Sequence, residues 1–155
     1  NAEKLVKGNV GQAKLLLANG KKDVPVYYSN GTHAYVGAKM GLFDRINLEQ
    51  KFFPLLNGGN MLHIWLGDAS PDPEALYTLT KRITTKTNIG YYSYTKDLTV
   101  CSSCGKVTSP ISEQCPHCGS TQVEWWSRVT GYYQAVSGWN KGKRQELIDR
   151  YRTRL

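Results

Sequence analysis

Two short stretches decide how this chain reads: Cys101-Ser102-Ser103-Cys104-Gly105 and Cys115-Pro116-His117-Cys118-Gly119. Both have the form Cys-x-x-Cys-Gly, and ten residues separate Cys104 from Cys115. Two residues between thiolates let both sulfurs turn toward one ion, and the Gly that follows permits the tight turn beneath it. A matched pair of such knuckles predicts a closed tetrahedral site at Cys101, Cys104, Cys115 and Cys118, the usual arrangement of structural zinc. Iron in the same cage, two disulfides or redox Cys-x-x-Cys chemistry would use the same residues, and the spacing leaves them open. These are the only four Cys of the chain, so they make a local cluster and not a framework stapling the whole fold. His117 lies between ligands and is expected to be exposed, because four thiolates already saturate the ion.

Upstream of the cluster, helical patterns alternate with short apolar runs. Leu5, Val6, Val10, Ala13, Leu16 and Leu17 recur at helical spacing, which predicts a helix from Glu3 to Asn19. Val24 to Tyr28 reads as a strand, leading at Asn30-Gly31 into a hairpin or a tight loop. Asn47 is expected to cap a helix from Leu48 to Leu56, disturbed at its end by Pro54. Met61 to Leu66 is short and apolar enough for a buried strand. Asp72-Pro73 starts a helix whose apolar face carries Leu76, Leu79, Ile83 and Tyr77, and Tyr91 to Thr95 reads as the next strand. The order predicts α/β layers.

Downstream, Trp125 and Trp126 are expected to pack the cysteine segment against the body. Arg128-Val129-Thr130-Gly131-Tyr132 follows, and on residue physics alone Gly131 is a loop glycine serving backbone conformation. From Lys141 to Leu155 a helix is expected, with Leu147, Ile148, Tyr151 and Leu155 on one face and basic residues covering the others. That stretch holds six basic and two acidic residues, half of the chain's net +8. A solvated face that suits the helix's own dipole is the expectation there, ahead of anion contact. His33 and His63 are expected in core or hydrogen-bonding roles ahead of metal ligation.

The chain has 155 residues, 40% of them hydrophobic, which bounds it to one compact core plus a small appendage. No apolar run approaches the roughly 20 residues that cross a bilayer, so a membrane-spanning role and a signal peptide are not expected. The excess of Lys and Arg over Asp and Glu, 20 to 12, would suit a polyanion such as nucleic acid or nucleotide, but only weakly until the charge is located. The chain opens at Asn1-Ala2 without Met, as a scar of added sequence or an internal boundary would, and a piece of a longer protein is expected.

Several features together resemble the carboxy-terminal part of the anaerobic, class III ribonucleoside-triphosphate reductases. They are Tyr28-Ser29-Asn30-Gly31-Thr32-His33, Gly58-Gly59 followed by His63, the four-cysteine cage, Arg128-Val129-Thr130-Gly131-Tyr132 near the chain's end, and Asn140-Lys141-Gly142-Lys143. The Arg-Val-x-Gly-Tyr stretch is a signature of glycyl radical enzymes. Pyruvate formate-lyase has a similar segment but lacks the ribbon, so the cage favours the reductase. Thr130 stands where Cys is common in that family, and Tyr133 where Leu is frequent.

The resemblance implies a fragment of a ten-stranded β/α barrel over residues 1–98, a zinc ribbon over 99–124, and a glycyl radical loop with a C-terminal helix over 125–155. It implies that Gly131 gives up a hydrogen atom to an iron-sulfur activase that cleaves S-adenosylmethionine. A glycine suits this because its Cα radical can flatten into conjugation with the amide nitrogen and the carbonyl. A buried loop is expected to shield it from water and oxygen. The stored radical would generate a thiyl radical on a Cys, which attacks a ribonucleoside triphosphate and leads to replacement of the 2′-hydroxyl by hydrogen. Cage thiolates cannot serve as that Cys and there is no fifth, so these residues alone are expected to be inactive. The resemblance further implies a cytoplasmic enzyme, homodimeric when full length, with no membrane or nucleic-acid partner. Two rival readings are a non-enzymatic zinc-ribbon module that binds nucleic acid through its basic tail and aromatics, and a free-standing glycyl radical subunit that completes a separate barrel chain.

Overall fold

A computed structural model describes residues 27, 31–67 and 70–155. The helix expected at Glu3–Asn19 lies outside them, as do most of the strand expected at Val24–Tyr28 and residues 28–30 of the first motif. Among the described residues, no helix is long and apolar enough to cross a membrane.

The centre of the first half is a βαβ unit. Strand β1 (Leu62–Leu66) and strand β2 (Tyr92–Lys96) pair in parallel, with Leu62 opposite Tyr92 and Leu66 opposite Lys96. Parallel neighbours need a crossover, and a long helix from Pro73 to Lys86 supplies it. That helix starts as its sequence predicts: Asp72 accepts from the Glu74 amide at 3.1 Å, and Pro73 occupies the first turn. Its Leu79 and Ile83 are buried, whereas Tyr77, expected on the same face, is 61% exposed.

Every residue of β1 is buried, so both of its faces are covered. Leu62, Ile64 and Leu66 point into the apolar core with Ile46, Leu79, Ile83 and Ile89. His63 and Trp65 take the opposite face, as the two-residue period of a strand requires. That second face is covered by charged groups: the guanidinium carbons of Arg45 and Arg150 lie 4.5 and 5.3 Å from the centre of the Trp65 ring.

Two helices differ from expectation. The first described helix, α1, runs Leu42–Glu49 and not Leu48–Leu56. Gly41 precedes it and offers no side-chain cap, and Asn47 sits inside it. Pro54, which cannot donate to a helical ladder, lies in a separate 3-10 turn at Phe53–Leu55. The crossover helix is therefore α2, and the last helix, α3, runs Lys141–Asp149 and stops six residues short of the expected end. Only Leu147 of its expected apolar face is buried; Ile148 is 69% exposed. Beyond Asp149 the backbone bonds to other chain segments. The Tyr151 and Thr153 amides donate to the carbonyls of Val36 and Trp65, each at 2.8 Å, and Thr153 accepts from Gly67 at 2.8 Å. The tail thus lies along the edge of β1, bridged in parallel at Leu66 and Thr153.

A second, antiparallel sheet of four strands follows β2: β3 (Leu98–Cys101), β4 (Val107–Thr108), β5 (Val123–Arg128) and β6 (Tyr133–Ala135), in the spatial order β4-β3-β5-β6. Strand β5 is continuous from the cysteine segment into the Gly131 segment. Trp125 packs with Val136, Trp139 and Leu147 in a small apolar cluster, and its indole N–H donates to the Ser112 carbonyl at 2.9 Å.

Candidate functional site

The two Cys-x-x-Cys-Gly knuckles fold alike. In each, the Gly amide donates to the carbonyl of the first Cys, Gly105 to Cys101 at 3.0 Å and Gly119 to Cys115 at 2.9 Å. Both glycines have left-handed backbone angles, φ +68° and +74°, which a residue with a Cβ rarely adopts. The turns bring all four sulfurs within 4.8 Å of one another. Cys101 and Cys118 are separated by 3.6 Å, and Cys104 and Cys115 by 3.7 Å. A tetrahedral ion with Zn–S bonds of about 2.3 Å needs sulfurs about 3.8 Å apart, so the cage fits such an ion.

The charge balance of the cage agrees. Backbone hydrogen bonding from Cys104 pulls the Cys101 thiol down to about 6. At Cys118 the Ser120 backbone acts to lower the thiol's value, but neighbouring sulfurs and burial push it up to about 12. Four thiolates this close need a cation among them. His117 is exposed, as expected.

At its other end, β5 turns into β6 through Val129, Thr130, Gly131 and Tyr132. The Val129 amide donates to the Tyr132 carbonyl at 3.0 Å, which leaves Thr130 and Gly131 at the hairpin tip. Two structural reasons for a glycine are absent there. Its φ is not in the left-handed region, and among the described residues a Cβ on Gly131 would meet nothing within 4 Å. Against the described residues alone, Gly131 and both of its neighbours are exposed, so the burial expected of this loop would have to come from residues outside them. Val123 and Arg128 lie five residues apart on β5, about 17 Å, so the cage is remote from any chemistry at the tip.

Thr130 lines a cavity of about 390 Å³ with Gly31, His33, Gly58, Gly59 and His63, among others. The structure thus brings together the described parts of three motifs that lie far apart in sequence. Both ring nitrogens of His33 and Nδ1 of His63 are buried with no hydrogen-bond partner among the described residues. The His63 ring stacks on Trp65 at 5.8 Å. Burial, and then the charge of Arg150, pushes His63 down to about 3; burial lowers His33 as well. Burial thus disfavours the doubly protonated, charged form of both rings, and a neutral imidazole offers one donor and one acceptor.

A buried layer of charges supports the hairpin from behind, and periodicity gave no sign of it. Arg150 donates to Ser127 Oγ at 2.9 Å, to the Arg128 carbonyl at 3.0 Å and to Glu146 at 3.2 Å. Asp97 accepts from Arg152 Nε at 2.7 Å and from the Ser127 hydroxyl. Near Trp65 as well, Glu49 accepts from Arg45 at 2.8 Å and from the Ala34 amide at 3.1 Å. The basic tail is therefore not a uniformly solvated face: Arg150 is 4% exposed and inside the protein.

Residues 3–152 match the family model described as anaerobic ribonucleoside-triphosphate reductase. No curated protein sequence matches the chain. Among solved structures, one described as an anaerobic ribonucleotide reductase is 28% identical with a TM-score of 0.69, covering 92% of this chain and 22% of its own. The Thermotoga maritima anaerobic ribonucleotide reductase with glycerol in the active site is 26% identical, with a TM-score of 0.61 and coverage of 88% and 21%. The same enzyme in complex with dATP and CTP is 27% identical, with a TM-score of 0.59 and coverage of 88% and 22%. The chain spans about a fifth of the length of the structures it matches.

Proposed function

The chain belongs to the anaerobic ribonucleoside-triphosphate reductase family, and from that premise we propose that it carries the radical store of such an enzyme at Gly131. The observation that carries this reading is the setting of Gly131. It occupies a hairpin tip where neither backbone angle nor crowding by the described residues calls for glycine, beside a cavity that residues of the chain's other motifs help to line. A glycine without a local structural reason suits a residue selected for its Cα–H bond. A radical S-adenosylmethionine activase would remove that hydrogen atom.

Gly131 then stores the radical, which takes a hydrogen atom from a cysteine thiol and leaves a thiyl radical to act on a ribonucleoside triphosphate. The four cysteines here are committed to the cage, so that thiol is supplied from outside these residues. The βαβ unit would form part of the barrel wall around the tip. The cage would hold zinc as a closed structural ion that fastens β3 to the Cys115–Cys118 turn, with all four positions filled.

Oxygen provides the test. After anaerobic activation of the full-length protein, admission of air is expected to cut the backbone at Gly131, releasing a peptide that begins at that residue's position. Mass spectrometry that finds an intact chain after a quantified radical has been exposed to air would contradict the assignment. The nucleic-acid reading loses its main support, because Arg150 and Arg152 of the basic tail are paired with Glu146 and Asp97.

A further inference from the structure

Arg128 and Tyr133 face each other where the hairpin begins, as a directly opposed pair of β5 and β6. The Arg128 guanidinium carbon lies 5.2 Å from the centre of the Tyr133 ring, and Nη1 donates to the Gly131 carbonyl at 2.7 Å. Tyr133 is itself fixed. Its hydroxyl donates to the Lys96 carbonyl at 2.9 Å and accepts from the Lys96 amide at 3.1 Å, at the end of β2. The Arg128 carbonyl is held in turn by Arg150. A continuous mount therefore runs from the backbone of β2, through the Tyr133 ring and the Arg128 guanidinium, to the one carbonyl conjugated with Cα of Gly131.

We propose that Arg128 is the positioning residue of this hairpin: propped on Tyr133, its cation polarises the Gly131 carbonyl and draws spin from Cα toward that oxygen. This rests on the reading of Gly131 as the radical site. A radical at Cα is shared between an electron-releasing amide nitrogen and an electron-withdrawing carbonyl, and a charge-assisted donor at 2.7 Å strengthens the withdrawing side. The same bond fixes the carbonyl plane, so the flattened radical has one orientation. A Lys at position 128 would keep a cation but not the planar fork that can stack and donate at once.

The experiment uses the full-length protein, labelled with 15N-arginine, activated anaerobically and frozen. In wild type, pulsed electron–nuclear double resonance is expected to detect a guanidinium nitrogen coupled to the glycyl radical. In Arg128→Ala the α-proton doublet is expected to widen, as spin returns to Cα, and the radical to decay faster; Arg128→Lys is expected to restore part of both. A radical in wild type with no coupled arginine nitrogen overturns the proposal, and so does an unchanged doublet in Arg128→Ala. Where the variant fails to fold or to be activated, the wild-type measurement decides alone. Absence of any radical at Gly131 in wild type defeats the underlying functional reading instead, and this proposal falls with it.

Discussion

Arg150 Nη1 donates to Ser127 Oγ at 2.9 Å, and this contact joins the end of the last helix to the strand that leads into the Gly131 hairpin. The same guanidinium faces Glu146 and lies 3.9 Å from Asp97, with all three side chains almost fully buried. Removal of the cation would leave two carboxylates in the interior with fewer partners.

Arg150→Ala is therefore expected to destabilise the protein by about 3–5 kcal/mol, the usual cost of breaking a buried ion pair from one side. Denaturant titration measures this, and hydrogen exchange at the Val129 amide reports loosening of the hairpin base. A loss below about 1 kcal/mol, typical of an exposed pair, would show that the network is not what holds the two elements together.

The cage makes a prediction about metal. Elemental analysis is expected to find about one ion per chain, and a strong chelator to release it together with order in the β3–β5 segment. Cys104→Ser should lower the metal content without melting the βαβ half, whose core of Leu62, Ile64 and Ile83 shares no residue with the cage. Rapid reaction of all four thiols before any chelation would rule out the closed site.

Acid should act through His63. Its folded value is depressed to about 3 from an ordinary 6.5 by burial and by Arg150, with His33, Arg128 and Lys143 adding to the effect. The unfolded chain therefore binds the extra proton first. The stabilisation is complete above pH 6.5 and declines as pH falls toward 3, by about 1.4 kcal/mol per pH unit. Between pH 6.5 and 5 the loss from this residue is about 2 kcal/mol. Stability curves for wild type and His63→Gln should diverge by about 2 kcal/mol over that interval, and parallel curves would show that His63 is readily protonated in the folded state.

The parts of this architecture that were legible from sequence are those written in local chemistry. Asp72-Pro73 announces a helix start because capping and fixed φ act within one turn, and the Cys-x-x-Cys-Gly knuckles announce themselves by spacing. The start of α1 was not legible, since Gly41 offers no cap and the buried side of that helix includes Arg45 and Glu49, which a hydropathy pattern counts as solvent-facing. The C-terminal tail misled for a related reason. Its apolar residues continue a helical period, but the backbone gains hydrogen bonds from Val36, Trp65 and Gly67, which lie far away in sequence. At the candidate site, Gly131 and the four cysteines could be named from motifs. Arg150, Glu146 and Asp97 could not, because each is an ordinary surface residue until its partners are known.

Electron paramagnetic resonance of the anaerobically activated full-length protein tests the central claim most directly. With activase and S-adenosylmethionine, an organic radical with a doublet from one α-proton is expected, and it should collapse when the protein is grown on Cα-deuterated glycine. Gly131→Ala provides a clean control in this chain. Among the described residues a Cβ there meets nothing and the backbone angle suits alanine, so the stability of these residues should hold within about 0.5 kcal/mol or rise slightly while the signal disappears. A signal that persists in folded Gly131→Ala, or none in wild type with an activase proven on another substrate, would contradict the assignment of the radical to Gly131.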